Sequence, residues 1–207
     1  TKTLFDVLGE ENLRAVGGCV RDSLHRKTKS DNPRASAVDI DIDMATKLVP
    51  EAVMEHLTSA GIKVIPTGLK YGTVTAVLDG LHYGITTLRQ DVETDGRHAC
   101  VVYGEDWAAD ARRRDFTMNA LYCDASGCVY DPLGQGLADL QAEKVVFIGD
   151  AEARIHEDYL RVLRFFRFHA LIGDGAPDIL ALKACRKAAR DGAGLKRLSG
   201  ERLQQEL

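Results

Sequence analysis

The spacing of apolar and polar residues changes character late in the chain. Up to about residue 149, short segments that alternate apolar and polar residues are separated by segments with helical spacing. From residue 151 the spacing is helical, interrupted at residues 173–177 and 192–194, where glycines and a proline occur. We therefore predict an α/β unit with a mixed β-sheet over residues 1–149, followed by an all-α unit over residues 150–207.

The first unit contains several candidate strands and two clear helices. We predict strands at residues 13–16, 38–44, 63–65, 73–78, 83–88, 119–123 and 128–130, and helices at residues 20–25 and 50–60. The last two strands flank Asp124-Ala-Ser-Gly127, which is typical of a hairpin turn. Cys123 and Cys128 are therefore interpreted as strand residues rather than metal ligands.

Net charge and cysteine spacing limit how the chain could bind RNA or zinc. The formal net charge is −4, so contact with RNA would depend on local basic clusters such as residues 112–114. The other cluster, at residues 183–190, is interpreted as a solvated helix face. The five cysteines show no paired zinc spacing, which favours a reducing compartment.

No apolar run of about 18 residues and no signal peptide are present in the sequence. We therefore expect a soluble cytoplasmic protein without membrane contact or an obligate protein partner. A mitochondrial location stays open, because an organellar presequence could precede the first residue.

Three acidic residues alternate along the predicted strand at residues 38–44. Asp39, Asp41 and Asp43 share one face because side chains alternate along a strand. Two such carboxylates can hold Mg²⁺ and leave positions for water and nucleotide phosphates. The alternative is a strand edge protected by charge. This pattern alone favours neither interpretation.

A glycine turn, Gly17-Gly18, precedes the acidic strand and leads into a helix that carries Arg21. Backbone N–H groups at the start of that helix could face phosphate oxygens. Together with two Mg²⁺ ions on Asp41 and Asp43, the arrangement suits nucleotidyl transfer.

The segment Arg112-Arg113-Arg114-Asp115-Phe116-Thr117-Met118-Asn119 combines donors and acceptors. The arginines suit a triphosphate, and Asp115 or Asn119 could bond a ribose hydroxyl. The alternative is a helix start with scattered surface charge, which we do not prefer when the other clusters are considered with it.

The segment Glu157-Asp-Tyr-Leu-Arg-Val-Leu-Arg-Phe-Phe-Arg-Phe168 places one aspartate and three arginines at three-residue spacing in apolar, helical sequence. On one helix Asp158 and Arg161 are neighbours, and the simple interpretation is an ordinary salt bridge. The functional interpretation is a template, since a carboxylate acceptor beside a guanidinium donor complements adenine and cytosine and leaves guanine and uracil unpaired.

Taken together, these segments resemble the class II tRNA nucleotidyltransferase and poly(A) polymerase family. The motifs are GGCVRD with DIDMAT, RRDFTMNA, DPLGQGLADL, EDYLRVLRFFRF and LSGERLQQEL, in the order and at the separations of the family. The resemblance implies a nucleotidyltransferase head with a palm-like mixed sheet at residues 1–149 and a helical neck at residues 150–207. It also implies that body and tail regions follow residue 207 in the complete protein.

The resemblance assigns roles to individual residues. Asp41 and Asp43 would be the catalytic ligands of two Mg²⁺ ions. The nucleotide-binding residues would be Gly18, Arg21, Arg113, Arg114, Asp115, Asp158, Arg161, Arg164 and Arg167. Within this set, Asp158 and Arg161 match the pair that selects cytosine and adenine.

The expected activity is Mg²⁺-dependent addition of C, C and A to the 3′ end of tRNA from CTP and ATP, with release of pyrophosphate. Residues 87–98 resemble the flexible loop of CCA-adding members, which favours the complete product. Poly(A) synthesis and addition of A alone are alternatives. A tRNA-binding or assembly module with weak catalysis is another, because Gly84 stands where relatives carry a glutamate.

Overall fold

The computed structural model describes residues 1–26, 42–91 and 101–206. The chain forms two compact units, one of Thr1–Arg113 with Leu121–Pro132 and one of Arg114–Ala120 with Leu133–Leu207. Packing alone defines these units. The functional division into a head at residues 1–149 and a neck at residues 150–207 therefore stays a prediction.

The first unit is built on a mixed β-sheet, as predicted. Its strands run in the order β3-β4-β5-β2-β1-β8-β9, with β2 and β5 parallel and the other neighbours antiparallel, while β6 and β7 form a separate pair. The strands are β1 (Leu13–Val16), β2 (Ile42–Thr46), β3 (Lys63–Gly68), β4 (Thr73–Leu78), β5 (Leu81–Thr87), β6 (Arg89–Asp91), β7 (Val101–Tyr103), β8 (Tyr122–Cys123) and β9 (Val129–Tyr130).

Helices flank the sheet in the first unit and dominate the second. In the first unit they are α1 (Lys2–Leu8), α2 (Gly18–Arg26), α3 (Pro50–Ser59) and α4 (Trp107–Arg112). In the second they are α5 (Gly136–Gln141), α6 (Ala151–Glu157), α7 (Leu160–Ile172), α8 (Ile179–Asp191) and α9 (Gly200–Glu206). No helix within the described ranges has the length and apolar character needed to cross a membrane.

Aspartate side chains fix the starts of three helices. Asp106, Asp150 and Asp178 precede α4, α6 and α8, and each accepts a hydrogen bond of 2.8 Å from a backbone N–H of the first turn. A cap of this kind stabilises a helix by about 1 kcal/mol. These caps fix where α4 of the first unit and α6 and α8 of the second unit begin.

One face of the main sheet packs on α1 and α3. Met44 on β2, Val74 on β4 and Ile85 on β5 are buried in this core with apolar residues of both helices. Because strand side chains alternate, Asp43 and Gly84 lie on the opposite face. The sheet therefore presents part of the predicted site on the face that does not form this core.

The second unit has an aromatic core. Phe116 is fully buried, and its ring centroid lies 4.7 Å from that of Phe147, 6.3 Å from that of Phe165 and 5.6 Å from that of Phe168. The Ile148 N–H donates to the Asp115 carbonyl over 3.0 Å. The segment that contains Asp115 is thereby attached to the helical part of this unit.

Several predicted bounds differ from the observed ones. The segment predicted as a strand at residues 119–123 begins in a 3₁₀ turn, Thr117–Asn119, and β8 is shorter than expected. Helices α1, α4 and α5 were not predicted. The predicted strand residues 38–41 lie outside the described residues. Cys19, Cys123, Cys128 and Cys185, the cysteines within the described ranges, are free thiols.

Candidate functional site

Asp43 is the described member of the predicted metal-binding pair. It is exposed on β2 and lies opposite Gly84 of β5 in the parallel register. A Cβ atom on Gly84 would lie 3.2 Å from Oδ1 of Asp43, tighter than ordinary van der Waals contact. The glycine therefore leaves open the space directly beside this carboxylate. Asp39 and Asp41 fall outside the described residues, so their roles stay predictions.

The glycine turn lies next to the acidic strand. Gly17 has a positive φ of 74°, which glycine adopts without steric strain, and α2 begins at Gly18. The Cys19 thiol lies 3.3 Å from the Val16 carbonyl and 3.7 Å from the Asp43 carbonyl, linking the turn to β2. Burial raises the pKa of Cys19, which favours the neutral thiol.

Arg21 is nearly buried at the start of α2. Its Nε donates to Asp22 over 2.8 Å. A terminal guanidinium nitrogen comes within 3.7 Å of the place where a Gly18 side chain would begin. The two residues predicted to contact triphosphate, Gly18 and Arg21, are thus neighbours, and their ligand stays a prediction.

Arg113 is held by a carboxylate that the sequence analysis did not identify as functional. Its Nε donates to Asp110 Oδ1 over 2.8 Å, and the Tyr122 hydroxyl donates to Asp110 Oδ2 over 2.7 Å. Asp110 is 1% exposed. The three-residue spacing of Asp110 and Arg113 on the end of α4 was a usable signal for this pair.

Asp115 is the buried acceptor of the second unit. Its Oδ1 accepts from the Phe116 N–H at 2.8 Å and from Asn119 Nδ2 at 3.0 Å, and its Oδ2 accepts from Arg164 Nε at 2.7 Å. Burial by itself would raise the pKa of Asp115, but Arg164 and these hydrogen bonds hold it below its ordinary value. Asp115 is therefore a carboxylate at neutral pH and positions Arg164.

The predicted continuous helix at residues 157–168 is wrong at Asp158. Helix α6 ends at Glu157, Asp158 is extended with φ −151° and ψ 106°, and α7 begins at Leu160. Oδ1 of Asp158 accepts from the Leu160 N–H over 3.1 Å. A short acidic side chain competes for backbone N–H groups in this way, and it favours a helix boundary over a helix interior.

Asp158 and Arg161 have separate ionic partners. Arg202 lies 2.8 Å from Asp158 Oδ2, whereas Arg161 donates to Glu157 over 2.6 Å and to the Arg154 carbonyl over 2.7 Å. The simple salt bridge between Asp158 and Arg161 is therefore not the arrangement observed. Their role as a template for bases stays a prediction.

Arg164 and Arg167 share a buried carboxylate near the end of the chain. Arg164 Nη1 lies 2.9 Å from Glu206 Oε1, and Arg167 Nε lies 2.8 Å from Glu206 Oε2. The second contact is an ion pair whose angle does not make a hydrogen bond. Glu206 was not among the predicted site residues. It belongs to the LSGERLQQEL motif, whose acidic residue was a usable signal.

The carbonyl of Arg114 accepts from the guanidinium of Arg154, which connects the Asp115 segment to α6. Within the second unit, Arg114, Asp115, Arg164 and Arg167 are therefore linked through backbone or side-chain contacts. Two of the arginines predicted to bind a nucleotide, Arg164 and Arg167, take part through their guanidinium groups, whereas Arg114 takes part through its backbone carbonyl.

The model of the poly(A) polymerase head domain matches residues 13–146, which is more than half of the chain. The chain belongs to this family. It is 43% identical over 198 residues to CCA tRNA nucleotidyltransferase 1, mitochondrial, of Danio rerio, covering 94% of this chain and 43% of the relative. It is 42% identical over 213 residues to the Homo sapiens protein of the same name, and the match covers 100% of this chain and 45% of that relative.

Solved structures of family members have the same fold. The Bacillus stearothermophilus CCA-adding enzyme in complex with CTP has a TM-score of 0.78 at 30% identity, covering 99% of this chain and 46% of that one. A tRNA nucleotidyltransferase complexed with a primer tRNA and an incoming ATP analogue has a TM-score of 0.70 at 25% identity. This match covers 94% of this chain and 51% of that one. The chain thus spans less than half the length of the curated relatives named above.

The family implies a metal, and Asp43 suits one. The described residues contain no group of three or more His, Cys, Asp or Glu side chains that could hold an ion. Magnesium does not require such a group, since it is commonly bound through one or two carboxylates and keeps several waters. An exposed carboxylate beside an open glycine position provides an oxygen ligand and room for water. Asp43 is thus of the kind of ligand that magnesium takes, and the other predicted ligand, Asp41, lies outside the described residues.

Proposed function

We propose that this chain carries the nucleotidyltransferase activity that adds C, C and A to the 3′ end of tRNA from CTP and ATP. The observation that carries the proposal is the ionic row Asp158, Arg161, Arg164 and Arg167. Buried carboxylates hold Arg164 and Arg167, and the exposed Arg202 pairs with Asp158. Membership of the family and the names of its relatives support the same activity.

In the proposed reaction, the 3′ oxygen of the acceptor RNA attacks the α-phosphorus of the nucleotide. A new P–O bond forms, the bond to the β-phosphate oxygen breaks, and pyrophosphate leaves. Asp41 and Asp43 would hold two Mg²⁺ ions. When bound, these ions lower the pKa of the attacking hydroxyl and stabilise the leaving pyrophosphate.

The remaining residues bind and orient the nucleotide. Gly18, Arg21, Arg113 and Arg114 would bind the triphosphate, to which guanidinium groups donate strong hydrogen bonds. Asp115 would act on the ribose, directly or through Arg164, which it holds. Asp158 and Arg161 would select cytosine and adenine, while Arg164 and Arg167 would neutralise the nucleotide.

The test is incubation of the protein with tRNA that lacks CCA, Mg²⁺ and each labelled nucleotide in turn. We expect the wild type to incorporate CMP and AMP and little GMP or UMP. We expect Asp43→Ala to incorporate no nucleotide. Equal incorporation of all four nucleotides would contradict the template. An unchanged rate in Asp43→Ala would contradict the metal assignment.

One observation favours a second candidate, a tRNA-binding module with weak catalysis. Gly84 leaves the position beside Asp43 without a carboxylate. This candidate predicts that the protein binds the tRNA but incorporates no labelled nucleotide into it. Sequencing the product would separate CCA addition from addition of A alone or of poly(A), and subcellular fractionation would distinguish a cytoplasmic from a mitochondrial location.

A further inference from the structure

Arg14 of strand β1 contacts two aromatic rings of the first unit. Its guanidinium carbon lies 4.3 Å from the centroid of the Trp107 ring and 3.9 Å from that of the Tyr130 ring. A guanidinium placed over a ring in this way turns its face to that ring. The edge of the group, which carries the five N–H donors, stays available for hydrogen bonds.

Both rings are held by further contacts. The Tyr130 hydroxyl donates to Asp124 Oδ2 over 2.8 Å. The Trp107 ring meets the Tyr122 ring edge-on, with the centroids 5.4 Å apart. The orientation of the Arg14 guanidinium is therefore fixed by packing before any ligand binds.

The donors of Arg14 have no acceptor in the described part of the chain. Within residues 1–26, 42–91 and 101–206, the guanidinium makes no hydrogen bond or ion pair with another residue. A surface cavity of about 380 Å³ adjoins it and is lined by Arg14, both rings and the carboxylates of Glu105, Asp106 and Asp131. A fixed guanidinium edge matches the oxygens of a phosphate group.

Arg14 lies close to the predicted reaction centre. It pairs with Ala45 of β2, which shares one face of the strand with Asp43, so Arg14 and Asp43 are on the same face of the sheet. Strand spacing and rise place their Cα atoms about 8 Å apart. An RNA with its 3′ hydroxyl at Asp43 therefore has its last phosphodiesters within reach of the Arg14 side chain.

We propose that Arg14, oriented by Trp107 and Tyr130, binds a backbone phosphate near the 3′ end of the acceptor RNA, a proposal that rests on the function proposed above. The carboxylates that line the same cavity repel a small free anion. They accept from hydroxyl donors, and RNA carries a 2′-hydroxyl beside each phosphate. The site therefore favours RNA over inorganic phosphate or an acidic protein segment.

The experiment is titration of the full chain with labelled tRNA that lacks CCA, without nucleotide and at several salt concentrations. Fluorescence anisotropy of the tRNA measures binding, and the emission of Trp107, the only tryptophan in the chain, reports on this cavity. The variants are Arg14→Gln and, as a control that also loses one positive charge, Lys63→Gln. Lys63 is exposed on β3 at the far edge of the sheet. Circular dichroism establishes that each variant is folded.

We expect tRNA to change Trp107 emission in the wild type. Arg14→Gln should weaken tRNA binding about ten-fold at low salt, because a charged hydrogen bond is lost. It should also reduce the slope of log affinity against log salt concentration by about 0.7–0.9, the value for one phosphate contact. Lys63→Gln should keep the wild-type slope and emission change.

An unchanged salt slope in Arg14→Gln would overturn the proposal. The same change in Trp107 emission with inorganic phosphate or polyglutamate, at concentrations comparable to those of tRNA, would also overturn it. If Arg14→Gln does not fold, Arg14→Lys takes its place, since lysine keeps the charge but not the planar group. Arg14→Lys should keep the slope and lose affinity, and wild-type affinity in that variant would contradict the site.

Incorporation of CMP and AMP, measured in parallel, separates this proposal from the proposed function. A wild type that incorporates both while the salt slope does not depend on Arg14 overturns the phosphate site alone. Binding of tRNA that depends on Arg14 without any incorporation supports the site and contradicts the proposed transferase activity.

Discussion

Replacing Asp115 with asparagine should destabilise the second unit through one buried contact. The carboxylate is 10% exposed and accepts from Phe116, Asn119 and Arg164. Asparagine has nearly the same shape, but it removes the charge that Arg164 faces. It also places an N–H₂ group where donors already point, so one donor loses its acceptor.

The expected loss of unfolding free energy follows from the geometry of the Asp115–Arg164 ion pair. Removing one partner of a buried ion pair costs about 3–5 kcal/mol, and a hydrogen bond to a charged group contributes about 1.5–3 kcal/mol. Arg164 is 29% exposed and retains Glu206 as a partner, which favours the lower end. We therefore expect Asp115→Asn to lower the free energy of unfolding by about 2–3 kcal/mol at pH 7.

The assay is urea unfolding followed by far-UV circular dichroism, with Asp174→Asn as a control in the same unit. Asp174 is exposed, so its replacement should change stability by less than about 0.5 kcal/mol. Because the pKa of folded Asp115 lies below its ordinary value, its contribution is complete above the unfolded pKa, near 4. The difference between wild type and variant should shrink as the pH falls through the folded pKa.

Two results would refute this reasoning. A loss below about 1 kcal/mol at pH 7 would mean that the ion pair is too solvated to stabilise the unit. A loss that stays constant into acid would mean that the variant acts through packing rather than through charge.

Three further predictions concern other parts of the molecule. Gly84→Ala should slow single-turnover transfer about ten-fold with little change in unfolding, because its Cβ would crowd Asp43 at 3.2 Å. Phe116→Ala should lower the urea unfolding free energy by about 3–5 kcal/mol, since Phe116 is fully buried among aromatic rings. The hydrogen bond to Asp124 raises the pKa of Tyr130 to about 12. Asp124→Asn should return it towards about 10 in a spectrophotometric titration referenced to a variant without Tyr130.

The strands and helices that could be predicted are those whose residue pattern is local, such as alternation of apolar and polar residues or a proline at a helix start. Strands β4 and β5 alternate buried and less buried residues, and helix α3 has proline at its first position, so their places could be read from the sequence. The break at Asp158 could not, because the apolar spacing of residues 157–168 fits one helix as well as two. A single side-chain hydrogen bond to the Leu160 N–H accompanies the boundary.

The contacts of the candidate site depend on distant residues. Arg164 is 49 residues from Asp115 and 42 from Glu206, and Asp158 is 44 from Arg202. Spacing rules find partners three or four residues apart, and they pointed to Arg161 as the partner of Asp158. The sequence therefore identified Asp115, Asp158, Arg164 and Arg167 as candidates, but not their distant partners Arg202 and Glu206.

The pairing changes what the ionic row can do. Around Arg164 and Arg167, two guanidinium charges face two carboxylates, Asp115 and Glu206, so this cluster is close to electrically neutral before a nucleotide arrives. Because Asp115 and Glu206 already balance their charge, Arg164 and Arg167 would neutralise the nucleotide only in part and would mainly offer guanidinium donors whose orientation is already fixed. Preorganised donors of this kind favour recognition over simple charge attraction. The contribution of Arg164 and Arg167 to nucleotide affinity should therefore depend more on the geometry of these four side chains than on ionic strength.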